Sequence, residues 1–310
     1  MVLSLDSIIR RQMMILNTKC PHFAEYPQNK HSRKDTEMEN GAKGTICVTG
    51  GTGYIASWLI MKLLEHGYSV NATTRSNSAS ECRKDISFLT SLPGAKDRLK
   101  IFNADLQKPE TFGPAIEGCV GVFHVAHPTE FEAEEAEVIS KAVKGTLGVL
   151  KACSDAKTVR RVILTSSAYS VAFNNKGSLN ELDETSWTDV EFVRSLKPDV
   201  ASYIISKTLS EKAALDFAKE HGLDLLVLIP TLVTGPFLCP QCPATYKYLN
   251  NANMVHVDDL ASAYIFLFEH LDAQGRYICS SINLTLEELA QFLSKKYPDY
   301  PIPSAECVSS

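Results

Sequence analysis

Between Thr45 and Pro230 the chain alternates short apolar runs with longer stretches of helical periodicity. Ile46-Cys47-Val48 is the first run. It ends in the turn Gly50-Gly51-Thr52-Gly53, a helical pattern follows from Ile55 to His66, and Gly67 stops it. Tyr68 to Thr74 is strand-like in composition. Residues 45–74 therefore read strand, glycine loop, helix, strand, which is one βαβ unit. The alternation continues. Leu99–Phe102, Gly121–Ala126, Arg161–Thr165 and Leu225–Ile229 predict strands, and residues 134–153 and 200–220 predict helices, the second stopped at Gly222. Continuous apolar strands separated by helices imply a parallel sheet covered on both faces. The expected fold class is α/β, a doubly wound parallel sheet.

Past Pro230 the pattern weakens. Residues 258–270 predict a helix opened by Asp258 or Asp259. Thr285-Leu286-Glu287-Glu288 is a capping box before a helix ending near Lys296. No internal repeat is visible. Residues 1–40 lack glycine, and Arg10-Arg11-Gln12 splits their apolar stretches, so they hold no clean signal-peptide core. The segment is basic, as a transit peptide would be, but Asp6, Glu25, Asp35, Glu37 and Glu39 argue against one. The domain expectation is a poorly ordered extension over 1–43, a dinucleotide-binding domain over 44–235 and a smaller lobe over 236–310. Residues 258–270 are expected to pack back on the larger domain.

Composition narrows the function classes. Of 310 residues, 45% are hydrophobic and 22% charged, enough for a sizeable core. The formal net charge of −5 disfavours nucleic acid or anionic membrane as a general partner. No apolar stretch approaches the roughly 18 residues a spanning helix needs. Nine scattered cysteines do not make a disulfide scaffold, so a reducing, cytoplasmic setting is expected.

The spacing Gly50-x-x-Gly53-x-x-Ala56 falls between the first strand and the first helix. Glycine allows the tight turn and the close approach of a pyrophosphate, and the helix N-terminus offers N–H donors and a positive dipole. Thr52, Tyr54 and Ile55 belong to the same turn and are expected at the cofactor. An acid at the end of the second strand would hydrogen-bond a ribose 2′-OH, but this chain has Thr73-Thr74-Arg75 there. A guanidinium suits a 2′-phosphate, so NADPH is the expected cofactor, with Arg83 and Lys84 close behind. Asp105, followed by Leu106, either accepts from an adenine amino group or caps its own turn.

Tyr203 and Lys207 stand four apart in the helical segment 200–220, so both side chains leave one face. A nearby ammonium favours the phenolate and is expected to lower the Tyr203 pKa toward the working range for acid–base chemistry. Ser167 follows the strand 161–165, where ligands of such sheets bind, and can hydrogen-bond a substrate oxygen.

Val48-Thr49-Gly50-Gly51-Thr52-Gly53-Tyr54, Gly118-Cys119-Val120-Gly121-Val122-Phe123-His124, Thr165-Ser166-Ser167, Ser202-Tyr203-Ile204-Ile205-Ser206-Lys207-Thr208 and His256-Val257-Asp258-Asp259 together resemble the extended short-chain dehydrogenase/reductase family. Within it the chain is similar to the plant group of dihydroflavonol 4-reductase, anthocyanidin reductase, cinnamoyl-CoA reductase and vestitone reductase. The resemblance runs from about residue 44 to 300. It implies a Rossmann domain binding NADPH and a smaller C-terminal lobe over an aromatic carbonyl substrate of flavonoid or isoflavonoid type. It also implies that Ser167 polarises the carbonyl, Tyr203 donates the proton, and Lys207 holds the nicotinamide ribose and tunes Tyr203. Val125, Ala126, Pro230, Leu232 and Val233 would line the cofactor cleft.

The chain departs from the family pattern in places. The stretch from Gly235 to His256 is short and the C-terminus stops early, so the substrate lobe is expected to be truncated. Ala172 replaces a substrate-contacting Asn, and Ala56 replaces the third glycine. A cofactor-binding but catalytically impaired isoform, such as a splice form or faulty gene model, is one alternative; nucleotide-sugar epimerase or dehydratase chemistry is another. Cys239-Pro240-Gln241-Cys242 has the spacing of a zinc or redox pair but lacks further ligands and a helix N-terminus. His124 and His127 read as packing and loop residues, no metal site is expected, and the acidic run Glu130–Glu137 reads as a solvated helix face.

Overall fold

A computed structural model describes residues 43–75, 85–128, 134–174, 182–196, 200–240 and 252–299. Lys84, Cys242 and the residues before 43 lie outside these, as do residues 241–251 of the stretch between Gly235 and His256. In chain order the strands and longer helices are β1 (Thr45–Val48), α1 (Tyr54–Glu65), β2 (Ser69–Thr74), β3 (Leu99–Asn103), β4 (Gly121–His124), α2 (Glu135–Ala156), β5 (Arg161–Thr165), α3 (Ala201–His221), β6 (Leu225–Pro230), β7 (Leu232–Thr234), β8 (Ala252–His256), α4 (Val257–Glu269), β9 (Gly275–Cys279), β10 (Ile282–Leu284) and α5 (Leu286–Lys296).

Seven strands form one sheet in the order β3-β2-β1-β4-β5-β6-β9, every neighbouring pair parallel. The period of two along each strand sends alternate side chains to opposite layers. Ile46, Val48, Phe123, Ile163, Leu226 and Leu228 join α1 and α4 in one apolar cluster. Cys47, Val122, Val162, Leu164, Val227 and Ile229 join α2 and α3 in the other. Both faces are covered, which is why β4, β5 and β6 read as unbroken apolar runs and are buried along their whole length. Each fully buried aliphatic side chain contributes about 1.5–3 kcal/mol, so these two clusters are the fold's main support. Helix α1 turns Ala56, Leu59, Ile60, Leu63 and Leu64 inward, and α4 meets the same cluster with Leu260, Ala261 and Tyr264.

The chain runs outward from β1 in both directions, so the order of connection reverses between β1 and β4. Val48 is in register with both Ala72 and Phe123, and Thr165 with Leu228. The C-terminal ends of these strands therefore form one rim, where open α/β sheets bind ligands. A second, small sheet pairs β7 parallel and β10 antiparallel with β8. No helix among the described residues is long and apolar enough to cross a membrane.

Three local expectations change. Helix α4 is capped by the His256 side chain, whose Nδ1 accepts from the Asp258 N–H at 3.2 Å, rather than by Asp258 or Asp259, which lie inside its first turn. Strand β9 and the small sheet were not legible: Gly275-Arg276-Tyr277-Ile278-Cys279 sits at the sheet edge with only Cys279 fully buried, so it carries no continuous apolar run. Helix α2 runs three residues past Cys153 and ends at Lys157, which takes a left-handed φ of 57°. The capping box at Thr285 and Glu288 forms as read.

Candidate active site

The turn between β1 and α1 forms a cradle. Gly50 takes a φ of +74°, and a Cβ there would meet the Ala126 Cα at 3.1 Å. Any side chain would thus both strain the turn and press on the end of β4. The Gly51 N–H donates to the Thr73 carbonyl at 2.7 Å, and the Gly53 N–H to the Gly50 carbonyl at 2.8 Å. Gly53 caps α1 without a side chain, and the first turn holds no acid. The N-terminal N–H groups of a 12-residue helix and its positive dipole end thus remain for an anion, and the residues fit a dinucleotide pyrophosphate. Thr52, Tyr54 and Ile55 sit half-buried around this turn. The Tyr54 hydroxyl donates to the Gly235 carbonyl at 3.1 Å, tying the start of α1 to the segment after β7.

Thr49 joins the ends of β1 and β4. Its Oγ1 accepts from the Val125 and Ala126 N–H groups, each at 3.0 Å, and lies 2.8 Å from His124 Nδ1. With both lone pairs used, the hydroxyl donates to Nδ1, which places the His124 proton on Nε2. Burial pushes the His124 pKa down to about 3, so the ring is a neutral packing residue.

Among the described residues, the other expected cofactor residues lie along the same rim or just behind it. Arg75 is exposed immediately beyond β2. The Asp105 Oδ1 accepts from the Gln107 N–H at 3.0 Å, so it does cap its own turn. Leu106 packs on Gly145 of α2, where an added Cβ would meet its Cβ at 2.9 Å. Pro230 ends β6 and its carbonyl accepts from the Ala168 N–H at 2.9 Å; Leu232 is half-buried and Val233 belongs to the α1–α4 core.

Ser167, Tyr203 and Lys207 come together. The Ser167 side chain stands close enough to the Tyr203 phenol to draw its pKa down. Lys207 Nζ lies 6.0 Å from the Tyr203 ring centroid and donates to the Thr165 carbonyl at 3.0 Å. Tyr169 and His127 flank the Tyr203 ring edge-on, at centroid distances of 6.2 and 5.5 Å. His127 Nε2 lies 3.1 Å from Ser206 Oγ, and that hydroxyl donates to the Tyr203 carbonyl at 2.9 Å. The phenol is thus held by rings on two sides.

The electrostatics correct one expectation. The Tyr203 pKa is not lowered by the neighbouring ammonium. Burial outweighs every other influence and pushes the phenol up to about 12, and the Ser167 side chain only partly offsets it. Burial likewise brings Lys207 down to about 8, against the pull of Glu211. His127 is held well below its usual value by burial and by the Lys207 charge. The site therefore holds a neutral phenol, a neutral imidazole and an ammonium that sits close to losing its proton at neutral pH.

Sequence reasoning missed Thr49, Tyr169, Ser206 and Glu211, and treated His127 as a loop residue. Glu211 alone left a trace, one further helical step of four after Tyr203 and Lys207. Cys239 is buried, its CxxC partner lies outside the described residues, and no group of three potential metal ligands forms among the described residues. Within the acidic run, Glu135 pairs with Arg194 and Glu137 with Lys141.

This chain is 47% identical over 275 residues to vestitone reductase of Medicago sativa, covering 84% of this chain and 83% of that one. The crystal structure of the alfalfa vestitone reductase matches with a TM-score of 0.75 at 45% identity, covering 85% of each chain. Dihydroflavonol 4-reductase of Zea mays is 46% identical over 286 residues, covering 86% of this chain and 79% of the other. The Candida albicans Gre2 structure in complex with NADPH matches with a TM-score of 0.72 at 25% identity, covering 84% of this chain and 86% of that one. Residues 46–280 match the NAD dependent epimerase/dehydratase family. With a glycine cradle at the sheet's switch point and a Tyr–Lys–Ser group on the same rim, the chain is an oxidoreductase and a member of the NAD dependent epimerase/dehydratase family.

Proposed function

We propose that this protein reduces the ketone of a flavonoid- or isoflavonoid-like substrate to the alcohol, with NADPH as reductant. The observation that carries the reading is the grouping of Tyr203 with Ser167 beside it and Lys207 Nζ 6.0 Å from its ring centroid, on the rim that the glycine cradle shares. Relatives named for reducing vestitone and dihydroflavonols support the substrate class. The nicotinamide, when bound, supplies the hydride. Ser167 donates a hydrogen bond to the substrate carbonyl and draws charge toward its oxygen. Tyr203, with a pKa near 12, stays protonated at neutral pH and is a ready donor to the stronger base, the developing alkoxide. Lys207 places positive charge where the phenolate forms and lowers the cost of that transfer. Tyr169 and His127 keep the ring in place through the step. NADPH consumption against a panel of isoflavanones, dihydroflavonols and hydroxycinnamoyl thioesters tests the reading. Turnover with at least one is expected; folded protein silent on all of them sinks it.

In this reading Gly50, Thr52, Gly53, Tyr54 and Ile55 cradle the pyrophosphate, and Val125, Ala126, Pro230, Leu232 and Val233 line the nicotinamide side. Asp105 and Leu106 flank the adenine end, with the second Asp105 oxygen as the acceptor. Gly50→Val forces a β-branched residue into positive φ against Ala126. NADPH affinity by fluorescence titration is expected to fall by at least about tenfold, with a lower Tm, since strain of this kind costs about 1–3 kcal/mol. Unchanged affinity would place the pyrophosphate elsewhere.

NADPH is preferred over NADH because Arg75 stands where an acid would select the 2′-OH. Arg75→Glu is expected to reverse that preference. A charge-assisted hydrogen bond to phosphate contributes about 1.5–3 kcal/mol, so the NADPH-to-NADH ratio of kcat/KM should drop by roughly 10- to 100-fold. A ratio that does not move would remove Arg75 from the cofactor site.

A further inference from the structure

Glu211 lies one helical turn beyond Lys207, and the two side chains leave the same face of α3. The residue is 1% exposed. One carboxylate oxygen accepts from the Ser166 hydroxyl, and the other pairs with Arg276 Nε of β9 at 2.6 Å. Arg276 is itself anchored, with Nη1 donating to the Glu184 and Ser186 carbonyls at 2.6 and 2.8 Å and its guanidinium 3.7 Å above the Trp187 ring. Lys207, Glu211, Ser166, Thr165 and His127 line one polar crevice beside the Tyr203–Ser167 pair.

A buried ion pair is poor support for a fold, because desolvation offsets most of its attraction, so its place invites another explanation. Here the carboxylate shares a crevice with a desolvated ammonium. The other groups near Lys207 bring no negative charge: His124 and His127 are neutral, as are Tyr203 and Tyr169. Glu184 is engaged by the Ile278 N–H at 3.3 Å, and Lys212, on Glu211's own helix, is cationic and packs on Trp187 at 5.0 Å.

We propose that Glu211 is a positioning residue for carbonyl reduction: its carboxylate, held by Ser166 and Arg276, keeps Lys207 an ammonium seated on the Thr165 carbonyl. The proposal rests on the reductase reading above. The negative charge raises the Lys207 pKa against the larger effect of burial. Without it the ammonium is lost at a lower pH, so the sign of the expected effect is fixed.

The test is Glu211→Gln, with kcat and KM for reduction measured from about pH 6 to about pH 9. The alkaline limb of kcat should move to lower pH by about one unit, a tenfold loss at the alkaline end. At the acid end, where Lys207 stays protonated without help, the rate should return to near that of the wild type. KM for the carbonyl substrate should change little. Glu211→Asp, which keeps the charge, should restore most of the wild-type profile. If Glu211→Gln fails to fold because Arg276 is left unpaired, the double variant Glu211→Gln/Arg276→Gln removes both charges and should move the limb in the same direction by less, since the loss of the Arg276 cation partly offsets the loss of the carboxylate. A folded variant with an unshifted profile, or with a rate loss equal at every pH, would make Glu211 a purely structural ion pair. A wild-type protein without reductase activity would instead overturn the reading on which the proposal rests.

Discussion

Tyr203→Phe is expected to lower kcat for carbonyl reduction by about a thousandfold, within the 10²–10⁴ range for a lost proton donor. NADPH affinity should stay within about twofold, because the ring remains and only the hydroxyl goes. The phenylalanine keeps its edge-on packing between Tyr169 and His127, so the fold around it has no reason to shift. What is lost is specific: the hydroxyl beside Ser167, which is the group poised to pass a proton to an alkoxide. Steady-state NADPH oxidation, paired with a fluorescence titration of NADPH, separates the two quantities. A fall in kcat with binding intact is the expected result. A Tyr203→Phe protein that turns over normally would show that the proton comes from another source, and that this tyrosine is there for packing.

The parts of this site legible from sequence were those set by short-range spacing. Tyr203 and Lys207 share a face because four residues make about one helical turn, and no tertiary information is needed to see it. Gly50 and Gly53 could be placed because an apolar run precedes them and a helical period follows. Ser167 could be placed because it ends such a run. The four buried strands were equally readable, since two covered faces impose continuous apolarity. What escaped depends on neighbours distant in sequence. Strand β9 is an edge strand whose only broadly paired side is β6, and its side chains are half polar. Glu211 is unremarkable on a helix until Arg276, 65 positions later, is folded onto it. The charge state of Tyr203 was misjudged for a related reason. The spacing shows that an ammonium is near; it does not show how little water reaches the phenol, and that desolvation is the larger effect.

Arg161→Met is expected to destabilise the protein by about 3 kcal/mol, in the range for dismantling a buried charged network. Arg161 opens β5 with its side chain 4% exposed. Its guanidinium is a bracket for the end of α4 and the turn after it: Nη1 donates to the Leu267 carbonyl at 2.7 Å and also reaches His270, and Nη2 donates to Leu271 at 3.0 Å and Ala273 at 3.2 Å. The Leu267 carbonyl is an orphan acceptor of the helix C-terminus and the others belong to the turn that follows, and a cation also suits that end through the helix dipole. Nε pairs with Asp224 at 2.9 Å, but that carboxylate is 43% exposed and returns to water when the arginine goes, so the pair itself contributes little. The cost comes from the buried carbonyls, each stranded at about 1–3 kcal/mol unless water reaches it. Arg161→Lys keeps the charge but has one compact head in place of a five-donor fork, so it should recover part of the loss. Thermal unfolding should show Tm falling by roughly 4–6 °C for methionine and by less for lysine. Below the transition, kcat per folded molecule should stay near the wild-type value, since Ser167 lies at the opposite end of β5 from the substitution. A Tm unchanged in both variants would mean that water satisfies the end of α4 unaided.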